Sequence, residues 1–125
     1  MIVYSCCDLM FATKIRSTAE ALGVPSRPAR DEEMLVKRLD QVDDGRVNDP
    51  VTGVLIDLDL GEDGLGLIEK VKAHDDTIAV VAFGSHVAAD MLEAARQRGA
   101  DYVMPRSSFT ANLPQIVEQF GKVGA

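Results

Sequence analysis

Four carboxylates follow one short apolar run in the middle of the chain, in the segment VLIDLDLGEDGLGLIEK at 54–70. They are Asp57, Asp59, Glu62 and Asp63. The run VTGVLIDL before them is apolar without alternation, which is typical of a strand buried on both faces. A buried strand that ends in clustered carboxylates usually ends at a site. The segment therefore indicates a site whose chemistry depends on carboxylate groups.

Short apolar runs alternate with longer helical patterns along the whole chain. We predict strands at MIVYSC (1–6), VPSRPA (24–29), VTGVLIDL (51–58), TIAVVAF (77–83) and DYVM (101–104). We predict helices at 8–22, 30–42, 64–74, 87–98 and 110–122, and a polar loop, DDGRVNDP, at 43–50. The prolines of the second strand restrict it to an edge of the sheet. Strict alternation of strand and helix predicts a parallel sheet with helices on both faces.

Local residue chemistry refines these elements. Asp8 and Asp63 are expected to cap the first and third helices, and Val42 and Val87 are expected to face inward at their helix ends. Ligands of such sheets bind beyond the carboxyl ends of the strands, where the strand order reverses. The residues expected to collect there are Cys6, Cys7, Asp8, Asp57, Gly84 and Arg106.

Length and charge limit the possible functions. At 125 residues the chain is expected to form one domain, 1–125, and its formal net charge of −7 disfavours nucleic acid as a partner. No apolar run approaches the ~20 residues that span a bilayer, and the N-terminus lacks a basic signal-peptide start. We therefore expect a cytoplasmic protein without membrane contact. Neighbouring cysteines and two distant histidines offer neither a disulfide framework nor metal-type spacing.

Two segments, VLIDLDLGEDGLGLIEKVK and IAVVAFGSHVAADMLEAARQRGADYVMPRSSF, resemble the receiver domains of bacterial response regulators. The resemblance covers essentially the whole chain. It implies an α/β, flavodoxin-like fold: a doubly wound, five-stranded parallel sheet of order 2-1-3-4-5 with helices on both faces. It also implies a role in two-component signalling, in which a histidine kinase transfers a phosphoryl group to one aspartate with the help of Mg²⁺.

The match at the acidic pocket of the family is uneven. Asp57 falls on the phosphoacceptor aspartate. The acidic pair that holds Mg²⁺ in the family falls on Cys6 and Cys7 when counted back from Gly23, and on Ser5 and Cys6 after a shift of one residue. Neither register gives two adjacent acids. The positions that we assign to this degenerate pocket are Cys6, Cys7, Asp8 and Asp59.

Two further positions also depart from the family pattern. The switch serine or threonine after the fourth strand falls on Gly84, with Ser85 one position late. The lysine after the fifth strand falls on Arg106 when counted from Gly99, and on Pro105 when counted from Tyr102. The first register retains a cation, and the second loses it.

These departures favour a degenerate receiver, often called a pseudo-receiver. Mg²⁺ requires hard oxygen ligands, and thiols suit it poorly. We therefore interpret the protein as a stand-alone, receiver-like signalling module that is not an enzyme, has no catalytic residue, metal or cofactor, and acts through protein–protein interaction. The alternative is an active single-domain response regulator in a phosphorelay, phosphorylated on Asp57 with a weak Mg²⁺ site.

Asp57 and the two cysteines also have interpretations that do not involve phosphorylation. Asp57 could be an inherited acid paired with Arg106. The two cysteines could be a thiol sensor near helix N-termini, or small, half-buried hydrophobic residues. Nearby acids favour the protonated thiol, so we expect slow thiols without a metal or a regulatory disulfide.

The partner is expected to be another signalling protein, a kinase or an output protein, because the chain ends about where the domain ends. A homodimer is a further possibility. In the family it forms through the fourth helix, fifth strand and fifth helix. In this chain that face is expected to carry Ala88, Met91, Arg96, Tyr102 and Phe109.

Overall fold

The computed structural model describes residues 1–43 and 46–121. The described strands are β1 (Ile2–Ser5), β2 (Ser26–Pro28), β3 (Val42–Asp43), β4 (Arg46–Val47), β5 (Gly53–Asp57), β6 (Ala79–Gly84) and β7 (Tyr102–Pro105). The described helices are α1 (Leu9–Ala21), α2 (Glu32–Leu39), α3 (Glu62–His74), α4 (Ala89–Gln97), α5 (Arg106–Ala111) and α6 (Leu113–Gly121). A 3₁₀ turn, Leu58–Leu60, joins β5 to α3.

Five of the strands form one parallel sheet in the order β2-β1-β5-β6-β7. Counted within this sheet, the order is 2-1-3-4-5, so the predicted fold class is confirmed. The strand that contains Arg27 and Pro28 lies at one edge, as its prolines predict, because proline cannot complete a central ladder.

Side chains alternate between the two faces of the sheet, and each face has its own apolar cluster. On one side, Val54, Ile56 and Val80 pack with residues of α2, α3 and α4. On the other side, Leu55 and Phe83 pack with residues of α1, α5 and α6. The central strands are therefore apolar at consecutive positions because both of their faces are covered.

Of the two predicted N-terminal helix caps, the one at Asp8 is confirmed and the one at Asp63 is wrong. The Asp8 carboxylate accepts hydrogen bonds from the Met10 and Phe11 amides, so it caps α1 as expected. Asp63 does not cap α3, because that helix begins at Glu62 and Gly61 occupies the capping position with φ of 66°. Asp63 lies instead in the first turn, where a negative charge favours the helix dipole.

A short antiparallel ribbon replaces part of the predicted loop. β3 pairs with β4, with Val42 opposite Val47. The second helix ends at Leu39, and Gln41 has a φ of 61°, which a continuing helix does not allow. Val42 therefore lies in the ribbon, and it is exposed and not buried as predicted.

The last predicted helix is two helices. α5 ends at Ala111, and α6 begins at Leu113, while residue 122 lies outside the described residues. Pro114 explains the break, because its ring would clash with the carbonyl of Thr110 in a continuous helix and it has no N–H to donate. The Asn112 side chain donates to the Ser108 carbonyl at 2.8 Å and completes the end of α5.

Two further predicted side-chain positions, besides Val42, are wrong. Val87 precedes α4, which begins two residues later than expected, and it is 79% exposed. Phe109 was expected on an exposed face, but it is fully buried and stacks on Phe83 with ring centroids 3.9 Å apart. None of the helices in the described part of the chain has the length and apolar character to cross a membrane.

Candidate functional site

The carboxyl ends of β1, β5, β6 and β7 bring the predicted residues to one edge of the sheet. The register pairs Ser5 with Ile56, and Asp57 with Phe83. Gly84 is paired with Pro105, so Arg106 follows at the same edge as the first residue of α5. Parallel pairing therefore positions these side chains, whatever their chemistry.

Asp57 is the centre of the site. Its side chain is only 1% exposed. One carboxylate oxygen, Oδ1, accepts hydrogen bonds from Nη2 of Arg106 and from the Asp59 amide, each at 2.9 Å. The other, Oδ2, accepts a weak bond from the Cys7 thiol, with Sγ 3.6 Å away. The buried charge is thus satisfied by three donors from three parts of the chain.

Arg106 is held by acids on one side and aromatic rings on the other. Its Nη2 also donates to Asp59 Oδ2 at 2.9 Å, so one guanidinium joins both carboxylates. Its Cζ lies 5.3 Å from the ring centroids of Phe11 and of Phe83, within the range of cation–π contacts. Burial lowers the pKa of Arg106, but the hydrogen bond and charge of Asp57, together with Asp59, more than offset this and raise it.

Sequence reasoning missed the aromatic support of the arginine. Phe11 lies in the first turn of α1, and Phe83 lies next to the end of β6. The helical and strand patterns place both only on the apolar faces of their elements. The available signal was their position, since each lies within a few residues of a predicted site residue.

The two cysteine thiols are protonated at neutral pH. Burial raises the pKa of Cys6 to about 12, and the charge of Asp57 adds to this effect. Cys7 is exposed, and its pKa is also raised, by partial burial and then by the charge and hydrogen bond of Asp57. Neither thiol is a ready nucleophile, because the thiolate is the reactive form.

Two other predicted residues do not reach the carboxylate. The Asp8 side chain is exposed and engaged in capping α1. The Ser85 hydroxyl accepts a hydrogen bond from the Val87 amide at 3.3 Å. Neither residue belongs to the group of possible ligands formed by Cys7, Asp57 and Asp59.

Gly84 occupies a position with little room for a side chain. A Cβ built there would lie 3.1 Å from Cβ of Leu58, which is closer than ordinary packing allows. Leu58, the residue after Asp57, is itself buried. The space beside Gly84 is therefore filled by an apolar side chain and holds no hydroxyl.

The residues present do not fit Mg²⁺. Cys7, Asp57 and Asp59 each offer one ligand atom, all within 4.8 Å of one another, but only two of these atoms are oxygen. Mg²⁺ requires near-octahedral oxygen ligands, and the third atom belongs to a protonated thiol. Arg106 already supplies a positive charge to both carboxylates. The donor set favours an ion pair over a hard cation.

Comparison with known proteins places the fold among receiver domains. No family profile and no curated protein sequence matches the chain. The chain is similar to the crystal structure of NtrX from Brucella abortus, with TM-score 0.75 and 19% identity, over 95% of this chain and 26% of that one. It thus spans about a quarter of the length of that protein.

Two smaller structures match along all or nearly all of their length. The receiver domain of the same NtrX gives TM-score 0.76 and 18% identity, over 99% of this chain and 100% of the other. The phosphorylated cyanobacterial phytochrome response regulator RcpA gives TM-score 0.69 and 16% identity, over 99% and 96%. At these identities the likeness establishes a shared fold, and it leaves function to be argued from the site.

Proposed function

We propose that this protein is a receiver-like signalling module that acts by contact with another signalling protein, without conventional Mg²⁺-dependent phosphorylation of Asp57. The observation that carries the proposal is the state of the Asp57 carboxylate. Both of its oxygens already have partners, and the strongest of these, Arg106, also holds Asp59. The partner that we propose is a kinase or an output protein in the cytoplasm, and not a membrane or a nucleic acid.

Charge supports this proposal. Phosphorylation of a carboxylate brings a strongly anionic group to an anion, so catalysis depends on cations placed around the transferred oxygens. Arg106 supplies one positive charge against the two carboxylates that it contacts. At the positions that we assign to the family's acidic pair, counted back from Gly23, Cys6 and Cys7 are two neutral thiols and add no negative charge that would attract a hard cation. The site therefore lacks the excess positive charge that the reaction needs.

The alternative function is phosphorylation of Asp57 in a phosphorelay. It is favoured by one observation: a cation, Arg106, lies 2.9 Å from the Asp57 carboxylate, and in the register counted from Gly99 we assign it to the position of the family's lysine. RcpA, which has the same fold, has been observed phosphorylated. On this reading, Arg106 would neutralise a phosphoryl group directly.

Beryllium fluoride, which mimics an acyl phosphate on a carboxylate, distinguishes the two functions. We expect that adding it with Mg²⁺ leaves the amide NMR signals of Asp57, Asp59 and Gly84 and the melting temperature unchanged. A conventional receiver measured in parallel is the positive control. Saturable shifts that disappear in Asp57→Asn would overturn the proposal and establish the phosphorelay alternative.

A further inference from the structure

A cleft opens beside the candidate site, between α1 and the connection from β2 to α2. Its volume is about 280 Å³, close to the lower end of the usual range for small-ligand sites. Tyr4 lines it together with Arg16 of α1 and Arg30 of the connection, and Leu9, Ala12 and Pro28 supply apolar surface. The cleft also reaches Cys6 and Cys7.

The charge of this cleft is opposite to that of the whole protein. The chain has 20 acidic residues and a net charge of −7, but among the described residues no aspartate or glutamate lines this cleft. The neighbouring cleft, between α2 and α3, shares Arg30 but is lined by four acids. The difference makes the first cleft a local positive site on an acidic surface.

The two arginines of the cleft are free to bind a ligand. Three other arginines form ion pairs with acids: Arg96, Arg98 and Arg106. Arg27 and Arg38 also have partners. Within the described chain, Arg16 and Arg30 have neither an ion pair nor a side-chain hydrogen bond. A guanidinium matches the geometry of carboxylate oxygens.

Tyr4 adds an unpartnered polar group to the cleft. The residue is only 4% exposed, and within the described residues its hydroxyl has no hydrogen-bond partner. Burial raises the pKa of Tyr4 above its ordinary value of 10.0. The phenol therefore keeps its proton at neutral pH and can donate a hydrogen bond to a ligand. Among the described residues only Asn48 Oδ1 is both fully buried and unpartnered, so the Tyr4 hydroxyl reaches the water of the cleft and can exchange that water for a ligand oxygen.

Two hydrogen bonds hold the wall beside Tyr4 to β1. The Ala29 amide donates to the Tyr4 carbonyl at 2.9 Å, and the Ala29 carbonyl accepts from the Ser5 hydroxyl at 2.7 Å. These bonds fix the start of the β2–α2 connection to β1. This wall of the cleft is therefore formed by backbone that is hydrogen-bonded to the sheet.

We propose that this cleft binds an organic carboxylate carried on a short apolar stem. Arg16 and Arg30 bind the carboxylate, Tyr4 donates a hydrogen bond to it, and Leu9, Ala12 and Pro28 contact the stem. The ligand is either a free organic acid or an acidic side chain of a partner protein, which share this chemistry. The proposal goes beyond the signalling role and does not depend on it.

The probe is hexanoate, titrated into the full chain labelled for amide NMR. We expect saturable shifts confined to the residues that line the cleft. Hexanol, which has the stem without the charge, and sulfate, which has charge without a stem, should each bind at least tenfold more weakly. Because Cys7 also lines the cleft, hexanoate should slow its alkylation by iodoacetamide.

Variants separate the cleft from general charge. Arg16→Gln and Arg30→Gln should each weaken hexanoate binding by about tenfold, the value of a charge-assisted hydrogen bond. Lys14→Gln removes the same charge from the same helix but lies outside the cleft, so it should leave the affinity unchanged. Tyr4→Phe should weaken binding severalfold, with a thermal melt to show that the variant is folded.

The source of the carboxylate is tested with a capped peptide, acetyl-Ala-Leu-Glu-Leu-Ala-amide. Tighter binding of the peptide than of hexanoate assigns the cleft to a partner chain, and the reverse order assigns it to a free acid. The proposal is overturned if neither probe shifts the cleft signals. It is equally overturned if Lys14→Gln weakens binding as much as Arg16→Gln, or if sulfate binds as tightly as hexanoate.

Discussion

The buried Asp57 carboxylate accepts hydrogen bonds from Arg106, from the Asp59 amide and from the Cys7 thiol. Removing the arginine would leave a carboxylate with 1% exposure and no cation. Breaking one side of a buried pair costs more than the pair contributes, since the remaining charge cannot return to water. The stability of the site therefore depends on Arg106 more than on any other partner.

We expect Arg106→Met to lower the free energy of unfolding by about 2–3 kcal/mol, because the arginine itself is partly solvated. Urea unfolding followed by circular dichroism measures the change. Arg16→Met, at an exposed and unpaired arginine, is the matched control and should change stability by no more than about 0.5 kcal/mol. Adding Asp57→Asn to Arg106→Met should recover part of the loss. Equal stability of Arg106→Met and wild type would contradict this account of the pair.

The raised pKa of Cys6 makes a second prediction at the residue scale. A change from 9.0 to about 12 leaves about a thousandfold less thiolate at pH 8. In Cys7→Ser, the remaining Cys6 should therefore react with iodoacetamide about a thousandfold more slowly than an unstructured peptide, and denaturation in urea should restore the rate. Mass spectrometry of the modified fraction measures both rates. Rapid alkylation of folded Cys7→Ser at pH 6 would show the prediction to be wrong.

The same shift has a defined effect on stability. The folded chain holds the Cys6 proton up to about pH 12, and the unfolded chain releases it near 9.0. Stability that depends on this group is therefore present below pH 9 and is lost as the pH rises toward 12. Between pH 8 and pH 10.5 the wild type should lose more stability than Cys6→Ala, which lacks the titrating group.

Substitution at Gly84 tests whether Leu58 blocks the position that we assign to the family's switch hydroxyl. Gly84→Ser should lower the free energy of unfolding by about 1–3 kcal/mol, because its Cβ would press on Leu58. In a Leu58→Ala background the same substitution should cost much less, since the opposing side chain is gone. A double-mutant cycle by urea unfolding measures the coupling. Equal costs in both backgrounds would mean that the two positions do not interact.

At the scale of elements, the apolar runs predicted the five main strands well, because both faces of the sheet are covered and a continuous apolar strand has no competing interpretation. The ribbon of β3 and β4 was missed because two-residue strands have no period to detect. The Asp-Gly pair at 44–45 was the available signal, since it favours a two-residue hairpin turn. The break between α5 and α6 had a similar signal in Pro114.

The junction between β5 and α3 makes a prediction at this scale through its glycines. Gly61 has φ of 66°, which disfavours any other residue, whereas Gly66 lies exposed inside α3 with open space around it. Gly61→Ala should therefore cost about 1 kcal/mol. Gly66→Ala should instead stabilise the protein by about 0.5–1 kcal/mol through helix propensity. Thermal melts of the two variants check the opposite signs, and a shift in the same direction for both would contradict the assigned backbone.

At the scale of the whole molecule, the chain order of the strands predicted which residues lie at the same edge of the sheet. It did not predict which of their side chains form hydrogen bonds or ion pairs. Arg106 reaches Asp57 because β7 and β5 end at the same edge, and this follows from the topology. Its second bond to Asp59 and its contacts with Phe11 and Phe83 depend on side-chain rotamers. A periodicity argument contains no information about rotamers, so the detailed geometry of the site could not be predicted from the sequence.

Self-association of the whole molecule is the remaining expectation from the sequence. Phe109 does not belong to the face formed by α4, β7 and α6, because it is buried. The exposed apolar residues near that face are Tyr102, at 45% exposure, and Val87, at 79%. The Tyr102 ring packs against the Phe120 ring, with centroids 5.1 Å apart. This contact within the chain already orients the tyrosine side chain, so a partner does not have to order it on binding.

Two apolar anchors are few for a stable dimer, which usually buries about 800 Å² on each partner. We therefore expect weak self-association that sedimentation equilibrium detects only at high concentration. Tyr102→Glu should abolish it, because a charge in the centre of a symmetric contact meets its own copy. Leu9→Glu, which places the same charge on a more exposed apolar position of α1, should have no effect. A monomer throughout the micromolar range and above would count against the dimer. Loss of association in Leu9→Glu but not in Tyr102→Glu would indicate that the contact lies on α1.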